Sequence, residues 1–133
     1  TARHVATEGG FRLVVSHDGF RHLPGEPFHQ RSFHVTDDEV TILDFVAGQA
    51  PHQISIGFLL HPDAEVELTG STARISRGSA AIELTSDAPI SVEDAFWWAD
   101  MGAELPTRRL RLTPPEGTKE VRSAITILAG APA

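Results

Sequence analysis

Gln53-Ile54-Ser55-Ile56-Gly57-Phe58-Leu59-Leu60-His61-Pro62 is the stretch that decides the fold. Ile54, Ile56, Phe58 and Leu60 recur at period two, with Gln53, Ser55 and Gly57 between them for most of the run. Only a strand places every second side chain on one face, so this alternation predicts a β-strand with one buried side. Pro62 has no N–H to give a ladder and ends it, leaving His61 at the rim.

The same pattern recurs on both sides of that run. Upstream, Phe11, Leu13 and Val15 alternate with Arg12, Val14 and Ser16, while Val40 and Ile42 fall on one face and Leu43 and Phe45 on the other. Downstream come shorter pairs: Val66 and Leu68, Ala73 and Ile75, Ile82 and Leu84, Leu110 and Leu112, then Ile125 and Ile127. Turn chemistry separates them at Asp37-Asp38, Thr69-Gly70-Ser71 and Arg77-Gly78-Ser79. Helical periodicity is nearly absent. The expectation is an all-β fold, an antiparallel β-sandwich of about ten short strands, with a closed barrel as the second choice. Leu23-Pro24-Gly25-Glu26-Pro27 and Thr113-Pro114-Pro115-Glu116-Gly117 read as loops. Residues 98–107, with Asp100, Gly102 and Pro106, read as irregular with at most one short helical turn. A single domain over 1–133 is expected, with 1–10 and 129–133 as frayed ends.

Composition narrows the function classes. The 133 residues include 11 basic and 18 acidic side chains, a net charge of −7, and no cysteine. Lack of cysteine removes a disulfide framework, a thiolate nucleophile and a Cys-ligated zinc. The acidic balance argues against nucleic acid as a partner, since counterion displacement needs a basic footprint. No apolar run approaches the ~20 residues of a membrane span, so no membrane partner is expected either. Charge is uneven, however. Residues 1–36 carry four Arg against Glu8, Asp18 and Glu26, and hold five of the seven histidines.

Chemistry concentrates in that segment, at His17-Asp18-Gly19-Phe20-Arg21-His22 and Phe28-His29-Gln30-Arg31-Ser32-Phe33-His34. In a strand His29 and Arg31 share a face, where a guanidinium fork and an imidazolium together suit a carboxylate or sulfate. The competing reading pairs Arg31 with a carboxylate of the chain itself, such as Asp44, and gives it a shaping role only. No metal is expected: His29 and His34, like His52 and His61, fall on opposite faces of a regular strand. No other cofactor is expected. No Gly-x-Ser-x-Gly elbow occurs, and Ser16-His17-Asp18 are neighbours in the chain, which does not make a triad. Trp97-Trp98 admits three readings: docking on another domain, stacking on a sugar ring, or core packing.

The order of these features resembles a known family. Leu13-Val14-Val15-Ser16-His17-Asp18-Gly19-Phe20, then His29-Gln30-Arg31, Val40-Thr41-Ile42-Leu43-Asp44 and Leu59-Leu60-His61-Pro62 are similar to the C-terminal β-sandwich of heparinase II/III-like polysaccharide lyases, over roughly residues 12–128. The departures are Phe20 where the family often has Tyr, Gln30-Arg31 in place of Arg-Arg, and Asp44-Phe45 without a basic residue after the Asp. The resemblance implies a bacterial, periplasmic or secreted lyase that cleaves uronic-acid-containing glycans by β-elimination. It also implies an α/α-toroid catalytic domain as partner. The family's catalytic groups lie in motifs resembling "HgHxD" and "AHN"; this chain has no Tyr and no His followed by Asn, so no catalytic residue carries over. A scaffold role is expected, with His17, Arg21, His29, Arg31 and Trp97 as candidate contacts to an anionic polysaccharide. The alternative is a free-standing carbohydrate-binding module for anionic glycans using the same residues.

Overall fold

The computed structural model describes residues 1–49 and 52–129. They form eleven strands and no helix: β1 (Ala2–Thr7), β2 (Gly10–His17), β3 (Phe28–Thr36), β4 (Glu39–Ala47), β5 (Ile56–Leu59), β6 (Glu65–Thr69), β7 (Thr72–Arg77), β8 (Ala80–Ser86), β9 (Ile90–Asp100), β10 (Ala103–Leu112) and β11 (Glu120–Ala129). No helix is therefore long and apolar enough to cross a membrane. All pairings are antiparallel. The all-β sandwich expected from the alternating runs is what forms.

Its two layers are unequal. An eight-stranded sheet has the order β1-β2-β3-β4-β11-β8-β7-β6, and a three-stranded sheet the order β5-β10-β9. Register carries the apolar alternation straight across the large sheet. Phe11, Val35, Val40, Ile125, Leu84, Ala73 and Leu68 are successive cross-strand partners, so one row spans seven strands on one face. Against the middle of that face lie Ile54, Ile56, Ile90, Leu110 and Leu112, and the core closes on Leu84 and Val121. Leu110, Leu112, Leu84 and Val121 are fully buried. Each such side chain contributes about 1.5–3 kcal/mol of hydrophobic stabilisation.

Two expectations need correcting. The amino-terminal residues are not frayed: β1 pairs with β2 over six residues, and the Thr1 amine donates to the Ser16 carbonyl at 2.9 Å. The tight reversal at Glu8-Gly9 permits this, with Gly9 at φ 77°, a left-handed conformation that suits glycine. Residues 98–107 hold strand rather than a helical turn, and their irregularity is a register shift between Ala103 and Leu105. They form the distal part of the β9–β10 hairpin, reversing at Met101-Gly102 with Gly102 at φ 80°. Pro106 is tolerated inside β10 because the ladder to β5 spans only Arg109–Leu112, which leaves one flank of β10 without a strand partner there. The loops at Leu23–Pro27 and Thr113–Gly117 form as expected, as does the Asp37-Asp38 turn. Ala129 closes β11, and the remaining end, 130–133, lies outside the described residues.

Candidate functional site

One end of the sandwich opens into a cleft of about 420 Å³ between the β2–β3–β4 face, the loop of residues 18–27 and the segment 52–57. Register places the polar residues there. His17 on β2 pairs with His29 on β3, and Arg31 pairs with Asp44 on β4. Because the side-chain period is two, all four project from the core face of the large sheet, at the edge where the smaller sheet no longer covers it.

Asp44 is the hub. Its carboxylate is 1% exposed and accepts three charge-assisted or polar bonds: from Arg31 Nε at 2.7 Å, Arg31 Nη2 at 3.1 Å and His29 Nε2 at 2.8 Å. A carboxylate taken out of water is costly unless paired and hydrogen-bonded, and the bidentate guanidinium supplies both. The Arg31 guanidinium carbon also lies 5.9 Å from the ring centres of Phe33 and Phe58, so aromatic faces flank the cation. The network extends outward. His29 Nδ1 meets His17 Nε2 at 3.1 Å, and the Gly19 N–H donates to His17 Nδ1 at 3.2 Å. Phe20 packs on His17 with ring centres 5.2 Å apart, which brings the 18–27 loop over the cleft mouth.

Of the residues singled out from the sequence, three come together here: His17, His29 and Arg31. Arg21 is on the loop beside them, paired with Asp18 at 3.5 Å, both side chains exposed, and faces a neighbouring groove instead. Trp97 lies elsewhere. It is half-buried on the outer face of the three-stranded sheet, its ring 4.8 Å from His61, while Trp98 turns the other way and is 61% exposed. Of the two readings of Arg31, the geometry realises the pairing with Asp44.

Other lining groups gave no signal in the sequence. His52 and Gln53 enter the cleft from the opposite wall; His52 Nε2 is buried and has no hydrogen-bond partner among the described residues, and Gln53 Nε2 donates to the Pro114 carbonyl at 2.8 Å. Nothing local marks them, because the segment reaches the cleft only by crossing from one sheet to the other. A second charged group sits on the outer face of the smaller sheet, where Glu93 accepts from Arg111 Nη2 at 2.6 Å and Arg109 Nη1 at 3.3 Å. The Arg111 bond is the main reason the Glu93 carboxyl is held below its ordinary value, with desolvation opposing it. The Arg111 guanidinium is raised in turn. Among the described residues no group of three or more His, Asp or Glu is placed to hold a metal ion.

An unequal two-layer sandwich whose polar cleft is tied together by its own charges defines the class: an all-β domain with a polar cleft at one end. The chain belongs to the family described as Heparinase II/III-like, C-terminal, which matches residues 1–127. Solved structures agree on the fold. The chain is similar to the heparan sulfate lyase HepC from Pedobacter heparinus, with 14% identity, a TM-score of 0.77, and coverage of 99% of this chain and 22% of that one. It is also similar to a heparinase III gene product, at 13% identity and a TM-score of 0.73, over 96% of this chain and 22% of the other. A more distant likeness joins it to a putative aldose 1-epimerase from Escherichia coli K12, at 13% identity and a TM-score of 0.57, over 97% and 69% of the two chains. No curated protein matches the sequence. The chain thus spans about a fifth of the length of the lyases whose fold it shares.

Proposed function

We propose that this chain is the C-terminal β-sandwich of a polysaccharide lyase, where it acts as a scaffold and forms one wall of the glycan cleft. β-Elimination is carried out by a separate helical toroid domain. The observation that carries this reading is the uncovered end of the sandwich. Along β9 and β10 the register is unbroken from Ile90↔Leu112 to Trp97↔Leu105. The face that is core at Ile90, Leu110 and Leu112 therefore continues outward, by alternation, as far as Phe96, with Trp98 two residues on, at the register shift. There it meets no layer among the described residues: Phe96 is 53% and Trp98 61% exposed, and Ile127 on the opposing sheet is 50% exposed. A large apolar surface of this kind marks a site of contact with another body. The heparan sulfate lyase matched at full coverage of this chain is a much longer protein, which supports a catalytic domain of the same polypeptide as that body.

The cleft fits a supporting role. Elimination needs a base at the carbon next to the uronate carboxylate and donors preorganised for the charge that develops there. Here Arg31 and His29 are committed to Asp44, and His17 to His29 and Gly19. These groups shape the wall and present a polar edge to an acidic, uronic-acid-containing glycan. The test is the pure chain incubated with heparan sulfate, alginate and hyaluronan while the absorbance of the unsaturated product is followed. No turnover is expected, and turnover by the chain alone would overturn the proposal. Affinity of the isolated chain for the same glycans as high as that of the chain joined to its toroid domain would favour the second reading, a free-standing carbohydrate-binding module, for which the grouping of His17, His29 and Arg31 at one cleft is the supporting observation.

A further inference from the structure

The two imidazoles at the cleft have four ring nitrogens, and each contact has a defined direction. The Gly19 amide, 3.2 Å from His17 Nδ1, can only donate. Asp44 Oδ1, 2.8 Å from His29 Nε2 and held by Arg31, accepts. Between them, His17 Nε2 and His29 Nδ1 face each other at 3.1 Å. One assignment satisfies all three contacts: each ring is neutral and carries its proton on Nε2. Donation then runs in one direction, from Gly19 N–H to His17, from His17 to His29, and from His29 to Asp44.

A further proton has one place to go. The proton between the rings and the one facing Asp44 are already present, whichever ring owns the shared one. The third must therefore reside on His17 Nδ1, where it meets the Gly19 N–H donor to donor and breaks that contact. Charge changes at the same step. Arg31 and Asp44 cancel, so the network passes from neutral to a single positive charge. Among the described residues, the other ionisable groups beside it include Asp18, Arg21 and Glu26 on the 18–27 loop, His52 on the opposite wall, and the Thr1 amine, bonded to the Ser16 carbonyl next to His17. Asp18 is engaged by Arg21 at 3.5 Å.

We infer that the His17–His29 pair is a one-proton gate on this cleft: uptake of a solvent proton at His17 Nδ1 releases the Asp18-Gly19 turn and makes that nitrogen a cationic donor to an oxyanion of an acidic glycan. The inference deepens the cleft-wall reading above and rests on it for the identity of the ligand. Phe20 and Leu23, which line the cleft, sit on the loop that the turn anchors, so release also opens the mouth. Binding and proton uptake are linked: the anion replaces Gly19 as the partner of Nδ1, and each favours the other.

The experiment has two arms. Imidazole nitrogen-15 spectra of the 133-residue chain are expected to show Nε2–H on both rings before acid is added, and the proton taken up on acidification is expected on His17 Nδ1. Calorimetry with an unsulfated uronic-acid tetrasaccharide, in two buffers of different ionisation heat, is expected to show uptake of about one proton per molecule bound. Affinity should then rise by up to about tenfold per pH unit on acidification through the titration. His17→Gln keeps a donor for His29 Nδ1 but cannot be charged; it is expected to abolish the proton uptake and the pH dependence while leaving the unfolding midpoint in place. An Nδ1–H tautomer on either ring at neutral pH, binding without proton uptake, or an unchanged pH dependence in the Gln variant would overturn the gate. Absence of binding at both pH values would also overturn it, without touching the scaffold role, which is decided by the glycan-cleavage assay.

Discussion

Arg31 on β3 and Asp44 on β4 are register partners, and the guanidinium reaches across the ladder to hold both carboxylate oxygens, at 2.7 and 3.1 Å. The pair sits where the two sheets part, with Asp44 sealed from solvent and Arg31 half-buried. Its work is structural: it lets a charged row cross an otherwise apolar face next to an open cleft.

Removal of either partner strands the other. Asp44→Ala leaves Arg31 and His29 without their acceptor, and Arg31→Met leaves the buried carboxylate with a neutral imidazole alone. Each is expected to cost about 3 kcal/mol, the scale for breaking a buried pair from one side. Urea unfolding followed by far-ultraviolet circular dichroism measures it. The double variant Asp44→Leu/Arg31→Met is expected to recover part of the loss, because no uncompensated charge remains.

On the outer face, the charge group around Glu93 gives a pH signature. The folded-state pKa of Glu93 is depressed below its ordinary 4.5. Its contribution to stability is therefore present above pH 4.5 and is lost as pH falls through the lower, folded value. In Glu93→Gln that acid-limb loss should shrink, and the neutral-pH midpoint should become less sensitive to salt, since this pair is solvent-screened. Unfolding midpoints recorded from neutrality down to strongly acidic pH, in wild type and variant, provide the comparison.

Two glycines separate a backbone limit from a side-chain one. A Cβ at Gly10 would overlap the Val35 carbonyl oxygen, in the facing strand β3, so Gly10→Ala must spread the β2–β3 ladder. A Cβ at Gly57 would come within 2.9 Å of Arg109 Cδ, the flexible stem of an outward-facing side chain. Thermal melts should show Gly10→Ala destabilised by several degrees and Gly57→Ala shifted little, the Arg109 stem moving aside. Equal effects would remove the distinction.

The exposed end of the β9–β10 hairpin predicts a difference between stability and association. Trp98→Ser and Phe96→Ser touch little within the chain, and each should change stability by no more than about 0.5 kcal/mol. Both should lower self-association or docking, read by light scattering on the chain and by co-purification with the remainder of the lyase. Acrylamide should quench Trp98 strongly and Trp97, packed against His61, weakly.

Alternation and turn chemistry along the chain determined the strands, the large-sheet core face and the loop at residues 23–27, because period two and proline are local properties of the backbone. Ile54, Ile56 and Leu60 are buried as their spacing requires. The order of the His17, His29, Asp44 and Pro62 motifs was enough to place the chain in its family. What only the tertiary structure decided is which of those residues meet. His17 finds His29, and Arg31 finds Asp44, through register across three strands, whereas Trp97 is drawn to His61 on the far sheet. The 98–107 hairpin and the anchoring of β1 were illegible for the same reason. Strand pairing is a long-range contact, settled by what lies opposite in space, and a one-residue change of register would have sent every one of these side chains to the other face.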